Sequence, residues 1–153
     1  MDFALIELFF FAYRDFVSEP DRILARDGFG RAHHRVMHFV NRHPGLTIAE
    51  LLDILKITKQ SLNRVLKDLI DQGHIEQRPG DVDRRQRLLF MTERGAALAR
   101  ELASMQNRRI SGALALSQSG ADRIVRQFLS AMVDAGERDK VRRVVAGGTG
   151  GKI

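Results

Sequence analysis

The chain has 153 residues, enough for one domain with a real core or for a small reading module joined to an oligomerisation module. Hydrophobic residues make up 44% and charged residues 29%, a globular balance that excludes disorder over most of the length. Lys and Arg number 25 against 19 Asp and Glu, a net charge of +6 that favours a polyanionic partner; cysteine is absent, which excludes disulfides, thiolate metal sites and thiol chemistry and fits a reducing, cytoplasmic setting.

The N-terminal stretch, Phe3 to about Ala25, has apolar residues all round a helix: Phe3, Leu5, Ile6, Leu8, Phe9, Phe10, Phe11, Tyr13, Phe16 and Val17. Asp2 and Glu7 stand where an export signal would carry positive charge, and the run Leu8 to Tyr13 is too short to span a bilayer, so no membrane anchor is expected. A helix apolar on every side needs burial on every side, and a second subunit is the expected cover. Ser18, Glu19 and Pro20 read as a break or a fresh helix start.

Gly28 to Gly30 forms a turn, and a helix from about Arg31 to Arg42 ends at Pro44 and Gly45. Thr47 with Glu50 three residues on is a capping-box pattern that opens a short helix with Ile48, Leu51, Leu52 and Leu55 inside. Thr58 starts the next helix, to about Gln72, whose Leu62, Val65, Leu66, Leu69 and Ile70 recur at helical spacing. His74 to Arg78 and Gln86 to Met91 suit two strands of a hairpin around Pro79, Gly80 and Asp81. Thr92 caps a long helix to about Leu116, with Leu98, Leu102, Met105 and Ile110 as interior candidates, and Ser117 is the next expected cap. Ile124, Val125, Phe128, Leu129, Met132 and Val133 mark a further amphipathic helix that Gly136 weakens or ends, and the Gly-rich stretch from Gly147 is expected to be a flexible tail.

Two helices joined by a tight turn and followed by a cationic hairpin follow the order of a winged helix-turn-helix. The polar face opposite the Leu62 stripe would ordinarily be only a solvated face. With the hairpin in register behind it, it becomes a candidate base-reading surface. Gln60 and Asn63 can pair with adenine, and Arg64 with guanine or the backbone. Lys59 and Lys67 suit phosphate, and the hydroxyls of Thr58 and Ser61 suit the backbone. At the hairpin tip, Arg84, Arg85 and Arg87 could follow the phosphate edge into a minor groove.

The segment LTIAELLDILKITKQSLNRVLKDLIDQGHIEQRPGDVDRRQRLLFMTERG, Leu46 to Gly95, resembles the DNA-binding core of the MarR family. Its closing DRRQRLLFMTERG is similar to the family's wing signature: Asp, basic residues, a hydrophobic strand, then Thr-Glu-basic-Gly. The resemblance implies a mainly α fold with a small β-hairpin wing. The expected lobes are an N-terminal dimerisation helix (1–30), a winged helix-turn-helix (31–95), C-terminal dimerisation helices (96–146) and a tail (147–153). It also implies that Asp83 positions Arg85, and that an effector site lies between the lobes near the second helix. His33, His34, His38, Phe10 and Tyr13 are the candidate lining there.

His34 and His38, at i and i+4, could share a metal, but two ligands do not make a site, and neither metal nor cofactor is expected. No Gly-rich phosphate loop or Ser with a paired His and acid is visible, so catalysis is not expected. The sequence therefore predicts a homodimeric, sequence-specific transcription regulator that binds double-stranded DNA and is released by a small-molecule effector. A non-specific architectural DNA-binding protein and a protein-interaction adaptor are the alternatives.

Overall fold

Asp2 accepts the Leu5 backbone N–H at 3.0 Å and starts the first helix, α1 (Phe3–Leu24). The structure, a computed structural model, describes residues 1–147, so the expected tail lies, apart from Gly147, outside the described residues. No break occurs at Ser18–Pro20: α1 continues through Pro20. A proline inside a helix forfeits a backbone hydrogen bond and costs about 3 kcal/mol. Val17, Pro20 and Leu24 form the buried stripe of α1, so core packing of the ring offsets that loss. Ahead of Val17 much of the apolar surface of α1 is left exposed among the described residues, and Phe3, Phe10 and Phe11 are 63%, 69% and 53% exposed.

A 3₁₀ turn at Ala25–Asp27 leads to α2 (Arg31–Arg42), a two-residue strand β1 (Leu46–Thr47), then α3 (Ile48–Leu55) and α4 (Lys59–Asp71). The capping box at Thr47 forms as the spacing predicts: its hydroxyl accepts the Glu50 N–H at 3.2 Å, and Glu50 accepts the Thr47 N–H at 2.8 Å. Strands β2 (Ile75–Pro79) and β3 (Arg87–Met91) form the hairpin, and α5 (Glu93–Ala115), α6 (Ala121–Met132) and α7 (Arg138–Ala146) follow.

The sheet is antiparallel in the order β1-β3-β2, with Leu46 opposite Leu89 and Ile75 opposite Met91. No sequence pattern announces strand β1, since two residues carry no alternation and Thr47 serves as helix cap as well as strand. Burial along β2 falls from Ile75 to an exposed Pro79, so the hairpin leaves the core as it lengthens.

Two compact units divide at Gln106 and Asn107, a boundary inside α5. In the first, Leu24, Phe29, Val36, Met37, Leu51, Leu62, Leu69, Leu89, Ala99 and Leu102 share one core. Leu24 at the end of α1 and Phe29 just before α2 belong to that core. In the second unit Ile110 is exposed, and the Ser117 hydroxyl donates back to the Ala113 carbonyl at 3.0 Å. Ser117 therefore closes α5, and Gly120 precedes α6. Helix α6 ends at Met132, where Arg138 donates to the carbonyls of Val133 and Ala131 at 2.9 and 2.7 Å. Helix α7 escapes sequence reading, because its charged sequence RDKVRRVVA shows only a narrow apolar side.

The start of α5 is built against the turn that follows α4. Thr92 accepts the Gly95 N–H at 3.0 Å and donates to the Gly73 carbonyl at 2.7 Å, while Arg94 donates to the Gln72 carbonyl at 3.3 Å. A Cβ on Gly95 would lie 2.0 Å from the His74 carbonyl oxygen and 2.8 Å from the Met91 methyl. Gly95→Ala should therefore cost about 3 kcal/mol or more, because backbone atoms must move to admit the methyl. A urea midpoint within error of the native protein would refute this close approach.

Candidate nucleic-acid interface

The connection between α3 and α4 is short because Lys56 takes a left-handed conformation, φ +52°, and donates its N–H to the Leu52 carbonyl at 2.9 Å. That geometry costs a non-glycine residue about 1 kcal/mol, and packing of Leu51 and Leu55 below it supports the turn. Thr58 then caps α4: its oxygen accepts the Ser61 N–H at 3.1 Å, and its hydroxyl donates to the Ser61 hydroxyl at 2.9 Å. Both hydroxyls thus serve the helix start and remain exposed.

Helix α4 buries Leu62, Val65, Leu66 and Leu69. Lys59, Gln60, Asn63, Arg64 and Lys67 are exposed on its other side. Among the described residues the side chains of Lys59, Gln60, Asn63 and Arg64 have no hydrogen-bond or ion-pair partner, so their donors and acceptors face only water. Lys67 differs. Asp71 hydrogen-bonds its ammonium and holds it above the ordinary lysine value, so a phosphate must compete with Asp71 for it.

The C-terminal half of α4 is tied to its neighbours. Asp68 accepts from His33 Nε2 at 3.0 Å, and the Gln72 amide donates to the Asp27 carbonyl at 3.2 Å. On α2, Arg35 donates to the Leu55 carbonyl at 2.9 Å and so fixes the end of α3. Sequence spacing does not encode these links. Only the placement of His33 three residues after Gly30, in the first turn of a helix, hints at a capping role.

At the wing, the Asp83 carboxylate accepts the Arg85 backbone N–H at 2.9 Å, and its carbonyl accepts the Gln86 N–H at 3.0 Å. Asp83 thus acts on Arg85 through the backbone, shaping the turn and leaving the guanidinium exposed with those of Arg84 and Arg87. Gly80 is required in that turn, since a Cβ there would meet the Asp83 carbonyl oxygen at 2.6 Å. Nearer the core, Arg78 pairs with Glu76 and lies 4.4 Å from the Phe90 ring centre, which stiffens the stem.

A tight two-helix turn, an exposed donor-rich second helix and an arginine-tipped wing now stand together, and the comparisons agree with that architecture. A sequence model of the MarR family matches residues 27–86. The HTH-type transcriptional regulator PetP of Rhodobacter capsulatus is 51% identical over 133 residues, covering 87% of this chain and 80% of its own length. The chain belongs to the MarR family. Several solved structures share the fold. FabT of Streptococcus pneumoniae, in complex with DNA, has a TM-score of 0.74 at 14% identity over 84% of this chain and 92% of its own. A MarR protein from Peptoclostridium difficile scores 0.73 at 19% over 92% and 94%. MepR of S. aureus, in its DNA-binding conformation, scores 0.72 at 16% over 84% and 96%. As a MarR-family winged helix-turn-helix transcription regulator, the chain falls in a DNA-binding, non-enzymatic class.

This MarR-family chain also holds a cavity of about 280 Å³, lined by Tyr13, Phe16 and Val17 of α1, by Arg31, His34, Arg35, His38 and Phe39 of α2, and by Gln106. Of the five residues expected to line an effector site, Tyr13, His34 and His38 are on its wall, while Phe10 and His33 are not. Among the described residues no three His, Asp or Glu side chains converge on a metal position, and no helix is long and apolar enough to cross a membrane.

Burial pushes three imidazoles below their ordinary value. For His34 it acts against the favourable charge of Asp21. For His38 it is reinforced by His34, Arg42 and His43, and for His74 by Arg94 against Asp27. A folded-state lowering means that the unfolded chain takes up protons first. Stability should therefore be flat above about pH 7, fall as pH drops through the ordinary imidazole value of about 6.5, and level off once the folded imidazoles titrate. Each group contributes at most about 1.4 kcal/mol per pH unit over its window. Urea midpoints measured from pH 8 to 5.5 check this, and a midpoint that rises on acidification would contradict it.

Proposed function

We propose that two copies of the chain form a two-fold dimer that reads a pseudo-palindromic operator. In this reading α4 of each copy enters successive major grooves about 34 Å apart, and each wing follows the adjacent minor groove. The observation that carries it is the exposed set Lys59, Gln60, Asn63 and Arg64, without partners among the described residues, on a helix whose other side is core. Lys59, Lys67, Arg84, Arg85 and Arg87 set affinity through phosphate, while Gln60, Asn63 and Arg64 set sequence preference. Thr58, Ser61 and Asp83 hold the helix start and the wing turn. The dimer reading is supported by the uncovered apolar surface of α1, and by Ile124, Phe128, Leu129 and Met132 of α6, 62%, 43%, 50% and 57% exposed.

The cavity beside α2 suits a small-molecule effector. Aromatic and aliphatic walls from Tyr13, Phe16, Val17 and Phe39 surround a few polar groups, and its volume is near the low end for ligand sites. Its α2 wall also carries the Arg35 bond to the end of α3. A ligand that shifts α2 would thus bias the orientation of the reading helices.

Selection of bound duplexes from a random pool, then salt titration of the winner against a scrambled duplex, tests the reading. A pseudo-palindromic winner preferred by about 10³-fold or more is expected. Strong salt-dependent binding with no enriched sequence would point to an architectural protein, and no binding at all to an adaptor. Arg85→Ala should weaken binding across all sequences and lower the salt slope by about one unit, whereas Gln60→Ala with Asn63→Ala should erode discrimination. Loss at a single base position on Arg85→Ala would place that residue against a base instead.

A further inference from the structure

His33, in the first turn of α2, hydrogen-bonds α4. Its ring stacks on Phe29 with centres 4.8 Å apart and planes 18° from parallel. Nδ1 accepts the Gly30 backbone N–H at 3.1 Å, and Nε2 lies 3.0 Å from the Asp68 carboxylate on α4. An acceptor at Nδ1 requires the proton to be on Nε2, so one neutral tautomer satisfies both bonds, donating to Asp68 while capping α2. The side chain is 13% exposed, too enclosed to reach a nucleic-acid surface, while Asp68 is 44% exposed at the edge of the reading face.

We propose that His33 is a positioning residue for DNA reading: through the Gly30–His33–Asp68 bonds it latches α4 to α2 in the orientation that binds. Arg64 lies one helical turn before Asp68, and the links through Gln72 lie after it. Among the described residues the latch is therefore the side-chain hydrogen bond from α4 to another element that lies nearest to the reading residues. Without it the buried Leu62 stripe still holds α4 on the core, but α4 can rotate about that stripe, and only a fraction of molecules presents Gln60, Asn63 and Arg64 correctly. The apparent dissociation constant then rises as the inverse of that fraction, while the bound state keeps all its bonds to phosphate.

This inference rests on the DNA-reading proposal, and the native protein separates the two: if it shows no salt-dependent duplex binding, the reading fails before the latch is tested. In a protein that binds, His33→Ala should weaken the selected duplex about tenfold with the salt slope unchanged. His33→Gln should restore most of the affinity, because its amide oxygen and nitrogen can replace the imidazole acceptor and donor. Asp68→Ala should lose discrimination between selected and scrambled duplex, whereas Asp68→Asn, which retains an acceptor oxygen, should keep it. A role for Asp68 through its charge alone predicts equal gains in affinity for Asp68→Ala and Asp68→Asn, and that result would overturn the latch. So would a lowered salt slope in His33→Ala, or effects of His33→Ala and Asp68→Ala that simply add in the double variant. Where His33→Ala fails to fold, the Asp68 pair and His33→Gln still decide the matter.

Discussion

Because the backbone of α5 passes so close to the His74 carbonyl that Gly95 has no room for a methyl, the end of α4, the first strand of the wing and the start of a 23-residue helix meet at one corner. Thr92 and Arg94 seal that corner by bonding the carbonyls of Gly73 and Gln72, groups that a helix end would otherwise leave to water. His74 sits in the same corner, 1% exposed, with neither ring nitrogen hydrogen-bonded among the described residues and its ring nearly perpendicular to that of Phe29, centres 5.3 Å apart. A neutral imidazole can be buried there, whereas a charged one loses more in hydration, and to the nearby Arg94, than Asp27 returns, which is why its titration is coupled to the stability of this junction.

From that corner the polar groups of α4 divide in two. Beyond the Thr58 cap, the N-terminal half presents Lys59, Gln60, Asn63 and Arg64 without partners among the described residues, so that the base and phosphate contacts proposed for them would break no internal bond. The C-terminal half is engaged: Lys67 with Asp71, Asp68 with His33, and Gln72 with Asp27 and Arg94. Exposed pairs of this kind contribute little to stability, so their consequence is geometric. The Lys67–Asp71 pair stays within the helix, whereas the bonds of Asp68 and Gln72 tie its C-terminal half to α2, to the turn before α2 and to the start of α5.

Patterns that are local in the chain were legible from the sequence. The helical spacing of Leu62 to Ile70, the Thr47–Glu50 box and the Thr92 cap are short-range rules, and the structure meets each of them. The Thr-Glu-Arg-Gly run could be recognised as a signature, but its reason is a backbone approach across space, which spacing does not encode. Pro20 deceived for the opposite reason, since its local penalty is outweighed by tertiary burial. The histidines near α2 looked like one group. Their side chains divide by helical angle, so that His34 and His38 line the cavity while His33 bonds α4. Strand β1 and helix α7 were lost because a two-residue strand and a strongly charged helix carry almost no periodic signal.

Two aspartates on a helix proposed to face a polyanion look like a liability. Asp71 competes with phosphate for Lys67, and Asp68 would repel phosphate if it stood alone. Both are nevertheless bound, one to a cation on its own helix and one to the His33 imidazole on α2. A basic chain of net charge +6 has attraction to nucleic acid in excess, and attraction to phosphate is blind to sequence. In the proposed reading, acids that reduce that attraction while fixing the helix would trade non-specific affinity for orientation, and orientation is what Gln60, Asn63 and Arg64 would need in order to distinguish one base pair from another.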